Sequence, residues 1–510
     1  MSASREKKNR LEQQSGMDGP KTARESQQRK EEKRSNILYG TIAVVFVVVA
    51  VICVIWKSNV IPKTATAVTI GDEKYTAAEV NFYFQNTYQS FVNQNYSYLS
   101  MLGLDASKDL KDQQFGDQTW YDYFLDQALT QMEQVQAMNT LAEESGFAWT
   151  DDLQAQLDSS MESLKTAASN YGYTQKQYLG MLFGSTMTPK IYQEQLKRSL
   201  LANAYMQDYE SSLVYSEDQL TESYNADPNA YDKVSYESIR ISGAADTKDA
   251  DGNDIEVTDE MTAAAMAAAK EAADSMYAAW QSGESMSDLA DGNEDASATD
   301  TEKGTYSDTV LTNWLFDSSR KAGDSAVLED ADNSCYYVVS FRNRYREDYL
   351  TVDVRHILIQ PEATTLAKDD EGYDADVAAK KDAAKQKAEE LLEQWKSGEA
   401  TEDSFAQLAN ENSSDGGSNT NGGLYEQVYQ GQMVTAFNDW CFDAGRKSGD
   451  TGIVETDYGY HIMYFVGTNL PYWQVQVRST LASTDFNDWL DGVVADYAAE
   501  QQDFGMKFVG

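Results

Sequence analysis

Only two histidines occur in the 510-residue chain, His356 and His461, and each sits in an apolar run, VDVRHILIQ (352–360) and GYHIMYF (459–465). Both runs have the length and composition of strands. If they pair, two imidazoles meet on one face, each near its neutral pKa and able to donate or accept. Between them lies SSDGGSNTNGGLY (413–425), whose Asp415 adds a carboxylate. Met433 and Phe437, four residues apart, add an apolar pair. A polar cluster beside a small apolar pocket suits an amide substrate with an apolar ring. On residue types alone, two structural histidines with satisfied partners fit the same pattern equally well. A hydrolase fits worse, because no Ser-His-Asp order is present and two histidines cannot complete a zinc set. Nothing in the pattern implies a metal or cofactor.

The elements that must position these groups lie in a chain too long for one core, so two to four domains are expected. Its 41 Lys plus Arg against 83 Asp plus Glu give a net charge of -42. A surface of that sign repels phosphate backbones, which excludes nucleic acid as a partner. Residues 1–36 nevertheless hold ten basic and six acidic residues, leaving 31 and 77 for the remainder. Between these parts, Ile37 to Trp56 run without a charge, enough helix to cross a hydrocarbon layer about 30 Å thick. The charge bias predicts a basic cytoplasmic tail (1–36), a transmembrane helix (37–56) and an extracytoplasmic bulk. A cleaved signal peptide is the competing reading, but no small-x-small site closes the run. Cys53 lies inside it after Ile52, where a lipoprotein box requires a small residue, and Cys335 and Cys441 have no metal-binding spacing.

Two segments of roughly equal length repeat one order of landmarks. VSYESIRIS (234–242) parallels VDVRHILIQ. Ala269, Ala273, Met276 and Trp280 echo Ala384, Ala388, Leu391 and Trp395 on a helical face, and both helices end at WQSGE or WKSGE. WLFDSSRKAGD (314–324) matches WCFDAGRKSGD (440–450). Two copies of one α+β domain follow, over 231–347 and 349–468. The first copy has Ser238 in place of His356, Tyr336 or Tyr337 near the second histidine position, and about seven fewer residues around the Met and Phe. Residues 64–230 open on two short strands around Gly71-Asp72 and continue as amphipathic helices dense in aromatics. After the second copy, within 470–510, Asp485 to Glu500 is predicted as a helix. Its stripe of Phe486, Trp489, Leu490, Val493 and Tyr497 needs a partner, for which the helical domain is the candidate. DADGNDIE (249–256) places its glycine too early for a calcium loop and reads as a hairpin.

At about 349–467 the sequence resembles the parvulin family of peptidyl-prolyl isomerases. The resemblance rests on His356 in RHILI, His461 in GYHIM, Asp415, and Met433 with Phe437 in GQMVTAF. It implies catalytic roles for His356, Asp415 and His461, and a proline pocket of Met433 and Phe437 with Leu424 and Tyr458 beside them. The family's Gly-Gly-Asp-Leu-Gly is replaced by NGGLY, with Gly423 at the acid and Tyr425 at the last glycine. Residues 360–379 hold only Lys368 among several acids, which argues against a phosphate-directed substrate. The whole order resembles the PrsA-type and SurA-type extracytoplasmic foldases. The implied protein has a helical chaperone-like domain, a degenerate parvulin copy and an active one, acting on unfolded or secreted chains with X-Pro bonds. A chaperone or scaffold with a silent parvulin copy is the alternative.

Overall fold

The computed structural model describes residues 44–50, 64–248 and 251–510. Most of the expected transmembrane run, Ile37 to Trp56, therefore lies outside the described residues, as does the tail before it. Residues 44–50 are helical, with their valines and Phe46 exposed. Among the described residues no helix is long and apolar enough to cross a membrane. From residue 64 the chain forms two compact units. One holds the chain up to Leu213 together with Asp485–Gly510, and the other is Val214–Thr484.

The first unit starts with a hairpin, β1 (Thr66–Ile70) and β2 (Glu73–Thr76), turned at Gly71, whose φ of 57° favours glycine. Thr76 and Glu79 then form a capping box that starts α1 (Ala77–Gln94). A two-stranded ribbon, β3 (Gln114–Phe115) and β4 (Gln118–Thr119), leads into α2 (Trp120–Ser145). There follow α3 (Asp151–Asn170), α4 (Gln175–Phe183) and α5 (Pro189–Ser212). Trp120 is fully buried and stacks on Phe115 and Phe124, with Phe91 and Tyr123 around it. The dense aromatics of this region are thus its core.

The second unit begins with α6 (Glu217–Ala226) and carries two sheets of one design. The first copy runs β5 (Lys233–Ser242), α7 (Asp259–Gln281), α8 (Met286–Asp291), β6 (Ala296–Gly304), α9 (Val310–Leu315), β7 (Ser325–Asp330) and β8 (Cys335–Tyr345). The second runs β9 (Leu350–Ile359), α10 (Tyr373–Ser397), α11 (Glu402–Asn412), β10 (Leu424–Val428), α12 (Thr435–Cys441), β11 (Thr451–Thr456) and β12 (Gly459–Pro471). Both sheets are antiparallel, ordered β6-β5-β8-β7 and β10-β9-β12-β11. In the second copy, side chains alternate between two faces. Ile357 and Ile359 pack with α10 and α11, while Val352, Val354 and Phe465 pack with α12.

The chain end departs from the sequence expectation. The last long helix, α13, starts at Tyr472 and stops at Val494, and residues 499–501 form a strand, β13, paired with β1. The helical residues before 485 belong to the second unit, where Trp473 and Val477 pack with Leu220 and Tyr231. Only the later part joins the helical unit, where Trp489 stacks on Tyr209 at 3.7 Å and Val493 and Tyr497 pack against the core. Alternating Trp-Gln-Val-Gln-Val (473–477) carries a strand's period, and packing overrides it. The short helix α14 (Asp503–Met506) then docks on β1, with Gly505 so close that a Cβ there meets the Thr66 carbonyl oxygen at 2.0 Å. Gly505→Ala is expected to cost about 1–3 kcal/mol, the ordinary penalty of overpacking. Thermal unfolding of the variant checks this, with the transition of the helical unit moving down.

Candidate active site

The register of β9 and β12 sets Met463 directly opposite His356, so His461, two residues along, shares its face on the diagonal. The rings lie 5.2 Å apart at 22°, with Nδ1 to Nδ1 at 3.0 Å. The loop 413–423 is tied to the same strand. Ser413 Oγ accepts from the Leu358 amide, and the Ser414 amide donates to the Leu358 carbonyl. This brings Asp415 Oδ2 to 3.0 Å from His356 Nε2. Gly422 and Gly423, at φ of 73° and 71°, make the turn back into β10. Gly423 accepts from the His356 amide through its carbonyl at 2.8 Å, and a Cβ on it would lie 2.2 Å from the His356 carbonyl oxygen. The NGGLY departure therefore places a glycine, Gly423, where the backbone approaches this closely.

The hydrogen-bond roles follow from chemistry. Burial lowers the pKa of both histidines, of His356 against the pull of Asp415, and of His461 to about 4 with His356 adding to the effect. Both are neutral at physiological pH. Burial works to raise the pKa of Asp415, but hydrogen bonds from Ser418, His356 and Tyr425 outweigh it and hold the carboxyl at about 2. An ionised carboxylate only accepts, so His356 Nε2 carries a proton and donates to it. His356 Nδ1 must then accept, from His461 Nδ1–H. His461 Nε2 is left as an acceptor for the Thr456 hydroxyl at 2.9 Å. The result is one directed chain, Thr456 to His461 to His356 to Asp415, with every tautomer assigned by its neighbours. Tyr425 donates to the same Oδ2 at 3.0 Å, and the Ser418 hydroxyl does so too.

The apolar side is built by α12 and the bend before it. Phe437 meets His356 and His461 edge-on at 5.5 and 5.4 Å and is 3% exposed, so it is a floor. Met433 is half-buried against the same cluster and forms the accessible part. Two expected pocket residues stand elsewhere. Leu424 pairs with Arg355, whose guanidinium bonds Glu402 of α11, so the register sets Leu424 on the face away from the histidines. Its neighbour Tyr425 occupies the site face, with its ring 5.2 Å from that of His356. Tyr458 is 60% exposed in the β11–β12 turn and reaches the network only through its amide, which donates to Thr456 Oγ1. Thr456, Ser418 and the role of Tyr425 were not read from the sequence. Tyr425 stood out as a departure at a glycine position, whereas Thr456 and Ser418 carry no distinguishing signal.

The first copy lacks these parts. Registers equate Ser238 with His356, both lying opposite apolar residues, Val339 and Met463, and equate Tyr337 with His461. The segment between α8 and β6 is only residues 292–295, so Asp415 and Ser418 have no counterparts.

A PPIC-type PPIase domain matches residues 336–467, and a SurA-like N-terminal domain matches 26–206. Foldase protein PrsA 1 of Listeria innocua is 32% identical over 115 residues, and that of Listeria monocytogenes 31%. Each match covers 22% of this chain and 30% of the relative's length. Among solved structures, PrsA from Bacillus subtilis is 16% identical, covering 77% of this chain and 88% of that one at a TM-score of 0.26. PrsA from Streptococcus pneumoniae is 12% identical, covering 76% and 90% at 0.19. Scores so low say nothing about the arrangement of the whole. The chain thus carries a SurA-like N-terminal domain and a PPIC-type PPIase domain that holds both histidines, and it resembles the parvulin-type, PrsA/SurA-like foldases.

Proposed function

We propose that the chain is a membrane-anchored extracytoplasmic foldase that catalyses cis/trans isomerisation of X-Pro bonds in unfolded or secreted polypeptides and also shields them from aggregation. The observation that carries this reading is the directed chain from Thr456 to Asp415 beside Met433 and Phe437. Rotation about an X-Pro bond is slow because amide resonance must be broken, and it requires no covalent step. In the planar amide, nitrogen is partly positive and the carbonyl oxygen partly negative, a separation that the twisted form gives up. A fixed Asp415 charge near the carbonyl penalises the planar form more than the twisted one, while Met433 grips the ring and excludes water. Three donors on Asp415 make it a poor base or nucleophile, which favours the electrostatic role.

The anchor is supported by the uncharged run 37–56 and by the exposed valines of its described part. The first copy is read as a parvulin-like module kept for binding or spacing, since it has no counterpart of the imidazole pair or of Asp415. The burial of Phe437 favours a second reading, a silent client-holding scaffold. An assay on an X-Pro peptide separates the two: turnover that falls in His356→Ala and Met433→Ala supports the enzyme, and no turnover by the intact chain supports the scaffold.

The pH profile is diagnostic. Between the ordinary histidine value of 6.5 and about 4, an unfolded chain binds a proton that folded His461 refuses. Stability therefore rises with pH across this window and is lost as pH falls through it. Isomerase kcat/KM is expected to stay flat from pH 8 to about 5 and to fall as pH approaches the shifted value, because protonated His461 can no longer accept from Thr456. An inflection near 6.5 contradicts the assigned neutral chain.

A further inference from the structure

Tyr425 stands where the family pattern has its last glycine, so a phenol ring fills space that the pattern leaves open. Its register opposite Val354 turns the ring onto the histidine face. There it packs on the same apolar cluster as Met433, that of Val354, Phe437 and Met463, with its centroid 5.2 Å from that of His356 and the two rings inclined at 34°. The far end is pinned. The hydroxyl donates to Asp415 Oδ2 at 3.0 Å, and a bond to an ionised acceptor is stronger than one between neutral groups. Burial and this carboxylate raise the phenol pKa, so it stays a donor at physiological pH. The glycine-rich loop closes on the same atom: a Cβ on Gly417 would lie 3.1 Å from the phenol oxygen. The ring is half-buried, so part of it is open to a substrate.

We infer that Tyr425 is a specificity-determining residue whose ring occupies the subsite for X, the residue before proline, so that the site favours X-Pro bonds with glycine or alanine at X over those with large side chains. The inference rests on the isomerase reading. That reading puts the proline ring against Met433 and the carbonyl of X near Asp415. The side chain of X starts on the atom next to that carbonyl carbon, so it has little freedom to avoid whatever stands between Met433 and Asp415. Tyr425 shares its apolar cluster with the first and is bonded to the second. A glycine or alanine at X fits against the ring as it is placed. A leucine or phenylalanine must displace it, and the ring moves only by giving up its bond to Asp415 and disturbing the carboxylate that acts on the amide. Packed side chains yield poorly to such overfilling, and a few extra carbons against a fixed wall are discriminated by about tenfold or more.

The test measures kcat/KM of the full-length chain by exchange spectroscopy on four peptides, Ala-X-Pro-Ala with Gly, Ala, Leu or Phe at X. Wild type is expected to prefer the Ala peptide over the Leu and Phe peptides by at least about tenfold. Two variants separate the ring from its hydroxyl. Tyr425→Gly is expected to bring the four peptides within about threefold of one another, whatever its overall loss of turnover. Tyr425→Phe keeps the ring and is expected to keep the wild-type preference, while turnover of all four falls by a common factor because Asp415 loses a donor. Circular dichroism checks folding, and should Tyr425→Gly unfold, the wild-type and Tyr425→Phe preferences decide. Wild type that prefers Leu or Phe overturns the inference, as does Tyr425→Gly with the wild-type preference or Tyr425→Phe without it. Wild-type turnover of all four peptides alike overturns the inference alone, whereas no turnover of any of them overturns the isomerase reading and the inference with it.

Discussion

Gly423→Ala is expected to lower kcat/KM by at least about 100-fold while leaving the helical unit folded. Two separate penalties act at this position. With φ at 71°, a residue bearing a Cβ pays about 1–2 kcal/mol for the left-handed conformation. The added carbon would also lie 2.2 Å from the His356 carbonyl oxygen, a backbone atom that can yield only by moving β9 itself. Movement there breaks the bonds of Gly423 to the His356 amide and to the Ser418 carbonyl, both 2.8 Å. It shifts His356 and Asp415 together, and an error of about 1 Å in catalytic geometry is enough for a loss of this size. Gly416, in the same loop, is the control. It has an ordinary φ and open space around a Cβ, so Gly416→Ala is expected to retain full activity. Kinetics of the two variants, with circular dichroism for folding, check the contrast. Equal activity in both would remove the loop from the account.

Asp415→Asn is expected to reduce kcat by about 10- to 100-fold with KM within about twofold of wild type, whereas Met433→Ala raises KM with a smaller change in kcat. The carboxamide keeps an acceptor for His356, Ser418 and Tyr425 but loses the charge, so what it removes acts on the twisting amide and leaves peptide binding in place. In the proposed mechanism Met433 touches the ring in both planar and twisted forms, so its removal is a loss of uniform binding. Steady-state kinetics on one peptide series resolves kcat from KM. A variant at 415 that changes KM alone would assign Asp415 to binding.

What the sequence made legible was chemistry carried by rare residue types. Two histidines in 510 residues, an aspartate in a glycine-rich loop and a Met-Phe pair at helical spacing narrow the choices sharply, and the fold brings the histidines, Asp415 and Phe437 together. Leu424 shows where this stops. In a strand, a slip of one residue reverses the face, so Leu424 pairs with Arg355 while Tyr425 faces the site. The irregular pairing after Tyr425, with Gln427 at a positive φ, is a backbone feature with no side-chain signature. Thr456 and Ser418 are common small residues whose roles arise only from proximity. In the C-terminal segment, the alternating pattern of 473–477 conceals a helix, and a three-residue strand such as β13 is too short to leave a period at all.

The most direct test of the central claim is exchange spectroscopy by nuclear magnetic resonance on an X-Pro peptide, with catalytic amounts of the full-length chain or its Asp415→Asn variant. The account predicts cis/trans exchange accelerated well beyond the uncatalysed rate, which takes tens of seconds or more, and mostly lost in the variant. Exchange at the uncatalysed rate with the intact chain, or equal acceleration by both proteins, would contradict it.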